Sequence, residues 1–507
     1  DSAMADRVSK ERNWRFGYRK WVVRNVDLAC RSPEDCLKIA RAGLDYAHSQ
    51  FEFVRDGKTM SIAQAMDGRL EGTFHTGFIK GDKPKPAKFE LEVPYKGSKL
   101  KGEALRAQLQ RWVEVGTIEP TARDAIQMVA DHPGMLDLSG HYFVLLGAGS
   151  AMGPLLLLLS LGANIIAIDL DREGIWKRLI GLARDSCGTL TFPVAKSPEG
   201  LTDAELAKVS GSNLFTQTPE IRNWLLGVHK GQPLTIGGYA YLDGARHVQV
   251  SLAMDAIMKG VSERRKGVSL GFLCSPTDVF VAPEEARQAQ LANLKAVPFW
   301  QPLLGALSCG KMCVPNKRSP TKTADGKALF VVDNIIEQQG PNYALAKRLQ
   351  HWRAMVHRAE GGSASSNIAP STATVSVVHN KMFALAYAGF KYFKPMEVFY
   401  QETSNAVMGT LLIHDVRNPN GVSNPQFPLN NPLELFASGA FHGGMWRTGY
   451  AMNSCGEAAA VGYLVSAYWW VIGAAAAGCW YVSAVGLPFD LPCSLPARLR
   501  LACVCCA

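Results

Sequence analysis

Tyr343 and Lys347 stand four residues apart at the start of a helix-forming run, Ala344 to Val356. A helix puts positions i and i+4 on one face. An ammonium held beside a phenol favours the phenolate and draws the phenol's pKa toward working pH. Such a pair suits general acid/base work on a substrate oxygen. The spacing alone is not specific, because Tyr95/Lys99 and Tyr387/Lys391 repeat it. Context sets Tyr343/Lys347 apart: a β-branched strand precedes it and a glycine-rich loop lies upstream.

That loop is the second constellation. His141 to Leu146 reads as a fully buried strand, and Gly147, Gly149, Ser150 and Gly153 follow in the next seven residues. Pro154 and an apolar helix through Leu161 come next, then a strand from Asn164 to Asp169. This is a βαβ unit. Glycines let a backbone approach a pyrophosphate, whose charge sits at the helix N-terminus, and Pro154 suits the first turn. Gly147, Gly149, Ser150 and Gly153 are therefore candidates for a phosphate cradle. Asp169 ends the second strand about 20 residues on, where a carboxylate accepts from a ribose hydroxyl. Asp169 argues for NAD, while Arg172 is placed to meet a 2′-phosphate, so NADP stays open. A tight turn in a ligand-free Rossmann-like core is the plainer reading, and Met152 breaks the simple dinucleotide spacing.

Over residues 140 to 450 the chain resembles the short-chain dehydrogenase/reductase family. That family's loop is Thr-Gly-x-x-x-Gly-x-Gly; here Leu146 replaces the threonine and Ala151 the middle glycine. Val268 to Cys274 resembles the family's fourth strand, and Asn293 on the next helix its structural asparagine. Asn367, Pro370 and Thr374 are similar to the segment beside the nicotinamide, with Ser371 where glycine is usual. Pro395 to Val398 is similar to its Pro-Glu-Glu-Val stretch. The family's catalytic serine closes the strand before the tyrosine, where this sequence has Val332, Asp333 and Asn334. Asp333 is the candidate there for a bond to substrate oxygen, although an ionised Asp333 would repel an alkoxide-like transition state.

The resemblance implies roles. Tyr343 is the general acid/base, Lys347 lowers its pKa and binds ribose, and Asn293 orders a relay water. NAD or NADP is the cofactor, and a carbonyl or secondary alcohol exchanges hydride with it. Related enzymes form dimers or tetramers, so a homo-oligomer is expected. The missing serine favours a second reading: a catalytically inactive cofactor-binding scaffold or subunit of a membrane-associated complex.

The elements that position these residues fall into three parts. Residues 1–139 read as a mostly helical extension, with Ser32 capping and Pro33 starting a helix to His48. Residues 140–455 read as an α/β domain, a Rossmann-like doubly wound parallel sheet with insertions. Residues 456–507 are an apolar C-terminal segment. Within it, 458–489 carries no charge and is long enough to cross a bilayer. A buried helix pair or a membrane-surface hairpin fits it equally.

The 507 residues, 47% apolar and 19% charged, allow a generous core in two to four domains. The net charge of +10 gathers at Arg7, Lys10, Arg12, Arg15, Arg19, Lys20 and Arg24. A basic arm packed on its own domain accounts for it better than nucleic acid, for which no module signature appears. The twelve cysteines form no metal pattern; Cys309 and Cys313 read as free thiols on a surface loop. Scattered cysteines fit an intracellular, reducing compartment. Phe390, Tyr392, Phe393, Phe436 and Phe441 hint at a lipophilic small-molecule substrate, though core packing is their commoner use.

Overall fold

The structure is a computed structural model that describes residues 2–68 and 74–468. Its centre is one mixed sheet of seven strands: β1 (His75–Lys80), β2 (Tyr142–Leu146), β3 (Asn164–Ile168), β4 (Thr189–Val194), β5 (Leu234–Gly238), β6 (Val268–Cys274) and β7 (Ala364–Ile368). Their spatial order is β7-β6-β5-β2-β3-β4-β1. Strands β2 to β7 pair in parallel, and β1 runs antiparallel on the edge of β4. The strand order reverses between β2 and β5, which is consistent with a Rossmann-like fold.

Parallel strands are buried on both faces, so β2 (Tyr-Phe-Val-Leu-Leu) and β3 (Asn-Ile-Ile-Ala-Ile) are nearly continuous apolar runs. Alternate side chains of β2 enter two separate cores. Val144 and Leu146 pack with α1 (Trp14–Ala29) and α2 (Pro33–Gln50). Phe143 and Leu145 pack with α3 (Leu155–Ser160) and α4 (Glu173–Arg184). Helices α5 (Ala245–Ser262) and α6 (Pro341–Ala359) complete the first face, and α8 (Gln401–Arg417) the second. Helix α7 (Lys381–Gly389) lies apart with a third, smaller cluster.

The N-terminal residues share these cores. Ser32 accepts from the Asp35 amide at 3.0 Å and Pro33 opens α2. Inside, His48 Nε2 meets Asp255 Oδ2 at 2.6 Å, and Arg353 Nε donates to Asp255 Oδ1 at 2.6 Å. A buried carboxylate needs such partners, and this one joins α2, α5 and α6. The basic N-terminal side chains are tied to the same chain: Arg15 donates to the Glu337 carbonyl, and Arg19 Nη2 pairs with Asp333 at 3.0 Å.

Between β6 and α6 the chain makes a long excursion. Val279–Ala282, Thr321–Lys322 and Ala328–Asp333 form a separate three-stranded antiparallel sheet. Cys309 is exposed there, but Cys313 is buried beside Cys455 and is not a surface thiol. Among the described residues no helix is long and apolar enough to cross a membrane. Most of 458–489 lies outside the described residues.

Candidate functional site

The carboxyl ends of β2 and β5 open onto a cleft of about 1920 Å³. Ligands of open α/β sheets bind at such a reversal of strand order. Gly147 follows β2 with φ +90, and a Cβ there would stand 2.5 Å from the Ala240 backbone nitrogen. Only glycine lets the loop leave β2 so close to the β5 end. The Gly149 amide donates to Asp169 Oδ2 at 2.6 Å, and Arg178 Nη2 donates to the Gly149 carbonyl at 2.7 Å. Gly147, Gly149 and Ser150 line the cleft; Gly153 closes the turn by donating to the Ser150 carbonyl at 3.1 Å. Pro154 precedes the first residue of α3, which has only six residues.

Tyr343 and Lys347, on the first turns of α6, line the same cleft. Neither repeat of their spacing does so as a pair. Tyr95 gives its hydroxyl to Glu397 at 2.6 Å while Lys99 pairs with Glu92 at 3.0 Å. Tyr387 reaches the cleft, but Lys391 lies over Tyr392 and Tyr463 instead.

The strand count from sequence was one short. Val268–Cys274 is the fifth parallel strand, and Leu234–Gly238 is the fourth. The residue after β6 is Ser275, which lines the same cleft as Tyr343 and eases the ionisation of its phenol. A serine therefore does close the parallel strand that leads into the Tyr343 helix. The excursion of residues 276 to 340 separates it from the tyrosine in sequence. Asp333, expected in that position, lies in the small antiparallel sheet and pairs with Arg19. Asn293 also lies elsewhere: its Nδ2 donates to the Arg447 carbonyl at 2.7 Å, and it does not line the cleft.

Burial dominates the electrostatics. It raises the Tyr343 phenol's pKa, against the opposing pull of the Ser275 hydrogen bond. It lowers that of Lys347, whose Nζ donates to the Leu273 carbonyl at 3.0 Å and Gln350 Oε1 at 3.1 Å. The Lys347 ammonium stands 5.8 Å from the centre of the Tyr343 ring. His247, at the start of α5, stacks on Tyr343 at 5.4 Å and 25°. Burial and the Lys347 charge push its pKa down to about 3, so the imidazole is neutral at neutral pH. It is 2% exposed, and neither ring nitrogen has a hydrogen-bond partner among the described residues. A buried polar group without partners is costly. Nothing in the α5 sequence singled His247 out.

At the Asp169 end of the cleft, the carboxylate is partly engaged. Its Oδ2 takes the Gly149 amide and its Oδ1 the Leu170 amide at 2.8 Å. Burial nevertheless raises its pKa. Arg172 and Arg178 are exposed and line the cleft beside it. At the other end, Pro370, Ser371 and Thr374 line the cleft, but Asn367 does not. Asn367 points to α8, giving Nδ2 to Asp415 Oδ2 at 2.7 Å. Phe383, Tyr387 and Phe390 form an apolar wall, whereas Tyr392, Phe393, Phe436 and Phe441 stay out of the cleft.

The class these features define is an α/β protein with a mostly parallel seven-stranded sheet, flanked by helices, and a large cleft at the strand-order reversal. No protein-family model, curated protein or solved structure matches the chain.

Proposed function

We propose that the chain is an NAD(P)-dependent oxidoreductase of short-chain dehydrogenase/reductase type, acting on a carbonyl or secondary alcohol. The observation that carries this reading is the meeting of Ser275, Tyr343 and Lys347 in one cleft with the Gly147–Gly153 loop. The residues fit the cofactor. Glycine backbone lines the cleft where a pyrophosphate would lie, and the volume exceeds the roughly 300–1,000 Å³ of an ordinary ligand pocket, which leaves room for a substrate beside a dinucleotide. Bound nicotinamide would supply or accept the hydride.

The chain's own residues do the rest. In reduction, Tyr343 gives its phenolic proton to the carbonyl oxygen, while Ser275 holds that oxygen by a hydrogen bond. In oxidation the proton moves the other way. Lys347 stabilises the phenolate electrostatically from one turn along α6, working against burial. Arg172 and Arg178 favour an anionic group near Asp169, whose oxygens already accept two backbone amides. That balance supports NADP over NAD. The apolar wall of Phe383, Tyr387 and Phe390 suits a lipophilic substrate.

One observation favours the second reading, a cofactor-binding protein without turnover. Lys347 Nζ is held by Leu273 and Gln350 rather than left free for a ribose. Titration with NADP and NADPH, followed by a screen of ketones, aldehydes and secondary alcohols, separates the two. Binding with turnover supports the oxidoreductase; binding without turnover supports the scaffold.

A further inference from the structure

We infer that Gln339, Thr277 and Ser275 form a one-way chain of hydrogen-bond donors aimed at the Tyr343 phenol. This makes Thr277 and Gln339 positioning residues for its ionisation. The inference rests on the reading of Tyr343 as the acid/base and extends it to two residues with no assigned role.

The direction of the chain follows from what each group can do. Gln339 Nε2 donates to Thr277 Oγ1, and a carboxamide nitrogen only donates. The Thr277 hydroxyl, accepting there, has its single proton free for Ser275 Oγ, 2.8 Å away. Ser275 Oγ also accepts the Thr277 amide at 3.3 Å. With its oxygen taken by two donors, the Ser275 proton is left, while no substrate oxygen is present, to point onward to Tyr343 beside it in the cleft. All four side chains line the same cleft. Ser275 and Thr277 are only 8% and 9% exposed, so water does not compete strongly for these bonds. In a poorly solvated chain each donor polarises the next. The sum favours negative charge on the Tyr343 oxygen, against the burial that disfavours it.

The pattern has a local origin. Ser275, Pro276 and Thr277 turn the chain out of β6, and the short 3₁₀ turn Glu337–Gln339 brings it back to α6. The two ends of the excursion are thus tied together beside the phenol. The bond between Gln339 and Thr277 is part of that tie.

The test places a ring-fluorinated tyrosine at position 343 of the full chain, so that its phenol ionises at benign pH. Its titration is read by absorbance and fluorine resonance, with no cofactor or substrate present. Thr277→Val and Gln339→Leu should each move the midpoint upward by roughly half to one pH unit, the worth of one net hydrogen bond. Thr277→Ser, which keeps the hydroxyl and guards against a folding artefact, should leave it in place. Unchanged midpoints in both Thr277→Val and Gln339→Leu would overturn the inference. Because the readout needs no hydride transfer, absence of turnover would sink the oxidoreductase reading without touching this result.

Discussion

Ser275, the residue after the fifth parallel strand, shares one cleft with Tyr343 on α6, although a three-stranded excursion separates them along the chain. If this pair acts on one substrate oxygen, Ser275→Ala should lower kcat by about 10²-fold or more, the usual cost of one preorganised donor. KM and cofactor affinity should change little. Steady-state kinetics on any accepted carbonyl substrate measures this split.

Lys347 should be needed for its charge. Lys347→Met removes the ammonium 5.8 Å from the Tyr343 ring and should push the phenol's pKa up further. In the oxidation direction the rate follows the phenolate, so the pH–rate profile should move to higher pH. Lys347→Arg, which keeps the charge, should move it less.

Cofactor choice should turn on Arg172. Its guanidinium is exposed at the cleft beside Asp169. Arg172→Ala should weaken NADP binding by roughly 10-fold or more, a loss of one charge-assisted contact, and leave NAD binding nearly unchanged. Isothermal titration with both cofactors reads the difference. Equal losses for both would show that no 2′-phosphate meets Arg172.

The N-terminal residues should be inseparable from the α/β core. Asp255 joins His48 and Arg353 while only 4% exposed. Asp255→Ala leaves the Arg353 charge buried and unpaired, at a cost of about 3–5 kcal/mol. Denaturant melts should lose that stability in a single transition, and amides of α2 should exchange faster with solvent.

Acid should weaken the fold through Glu119. Burial works to raise its pKa, but hydrogen bonds from His442 and Arg447 outweigh it and hold the carboxyl at about 2. The folded value thus lies below the ordinary 4.5. The stability it contributes is full above about pH 4.5 and is lost as pH falls toward 2. That contribution is on the order of 3 kcal/mol. Melting temperatures between pH 6 and pH 3 should fall less steeply for Glu119→Gln than for the wild type.

Much of the core was legible in the sequence, because fully buried parallel strands are written as plain apolar runs. The βαβ unit from β2 through β3 was found that way, and the Tyr343/Lys347 pair on α6 by its i, i+4 spacing. Strands β4 and β5 were not named, and Leu234-Thr-Ile-Gly-Gly238 ends in glycines rather than in an apolar run. A Cβ on Gly237 would stand 2.2 Å from the Tyr239 ring two residues on, and one on Gly238 would stand 3.2 Å from Met258 Cε of α5. With two strands rather than one between β3 and β6, β6 was numbered fourth instead of fifth, and the search for a serine then fell on Asp333. The stretch after Gly310, rich in Lys and Pro, lies within the excursion; cutting it out together with its flanking strands leads back to Ser275. Asn293 and Asn367 were named by analogy of order, and order carries no information on which way a side chain points. His247 left no local signal, because its role comes from stacking on a residue nearly a hundred positions away.

The most direct test of the account is single turnover. NADPH is mixed with wild-type, Ser275→Ala and Tyr343→Phe proteins, binding is followed by fluorescence, and a panel of lipophilic ketones and aldehydes is added. The account expects all three proteins to bind NADPH and only the wild type to oxidise it rapidly. No binding at millimolar cofactor, or undiminished oxidation by Tyr343→Phe, would contradict it.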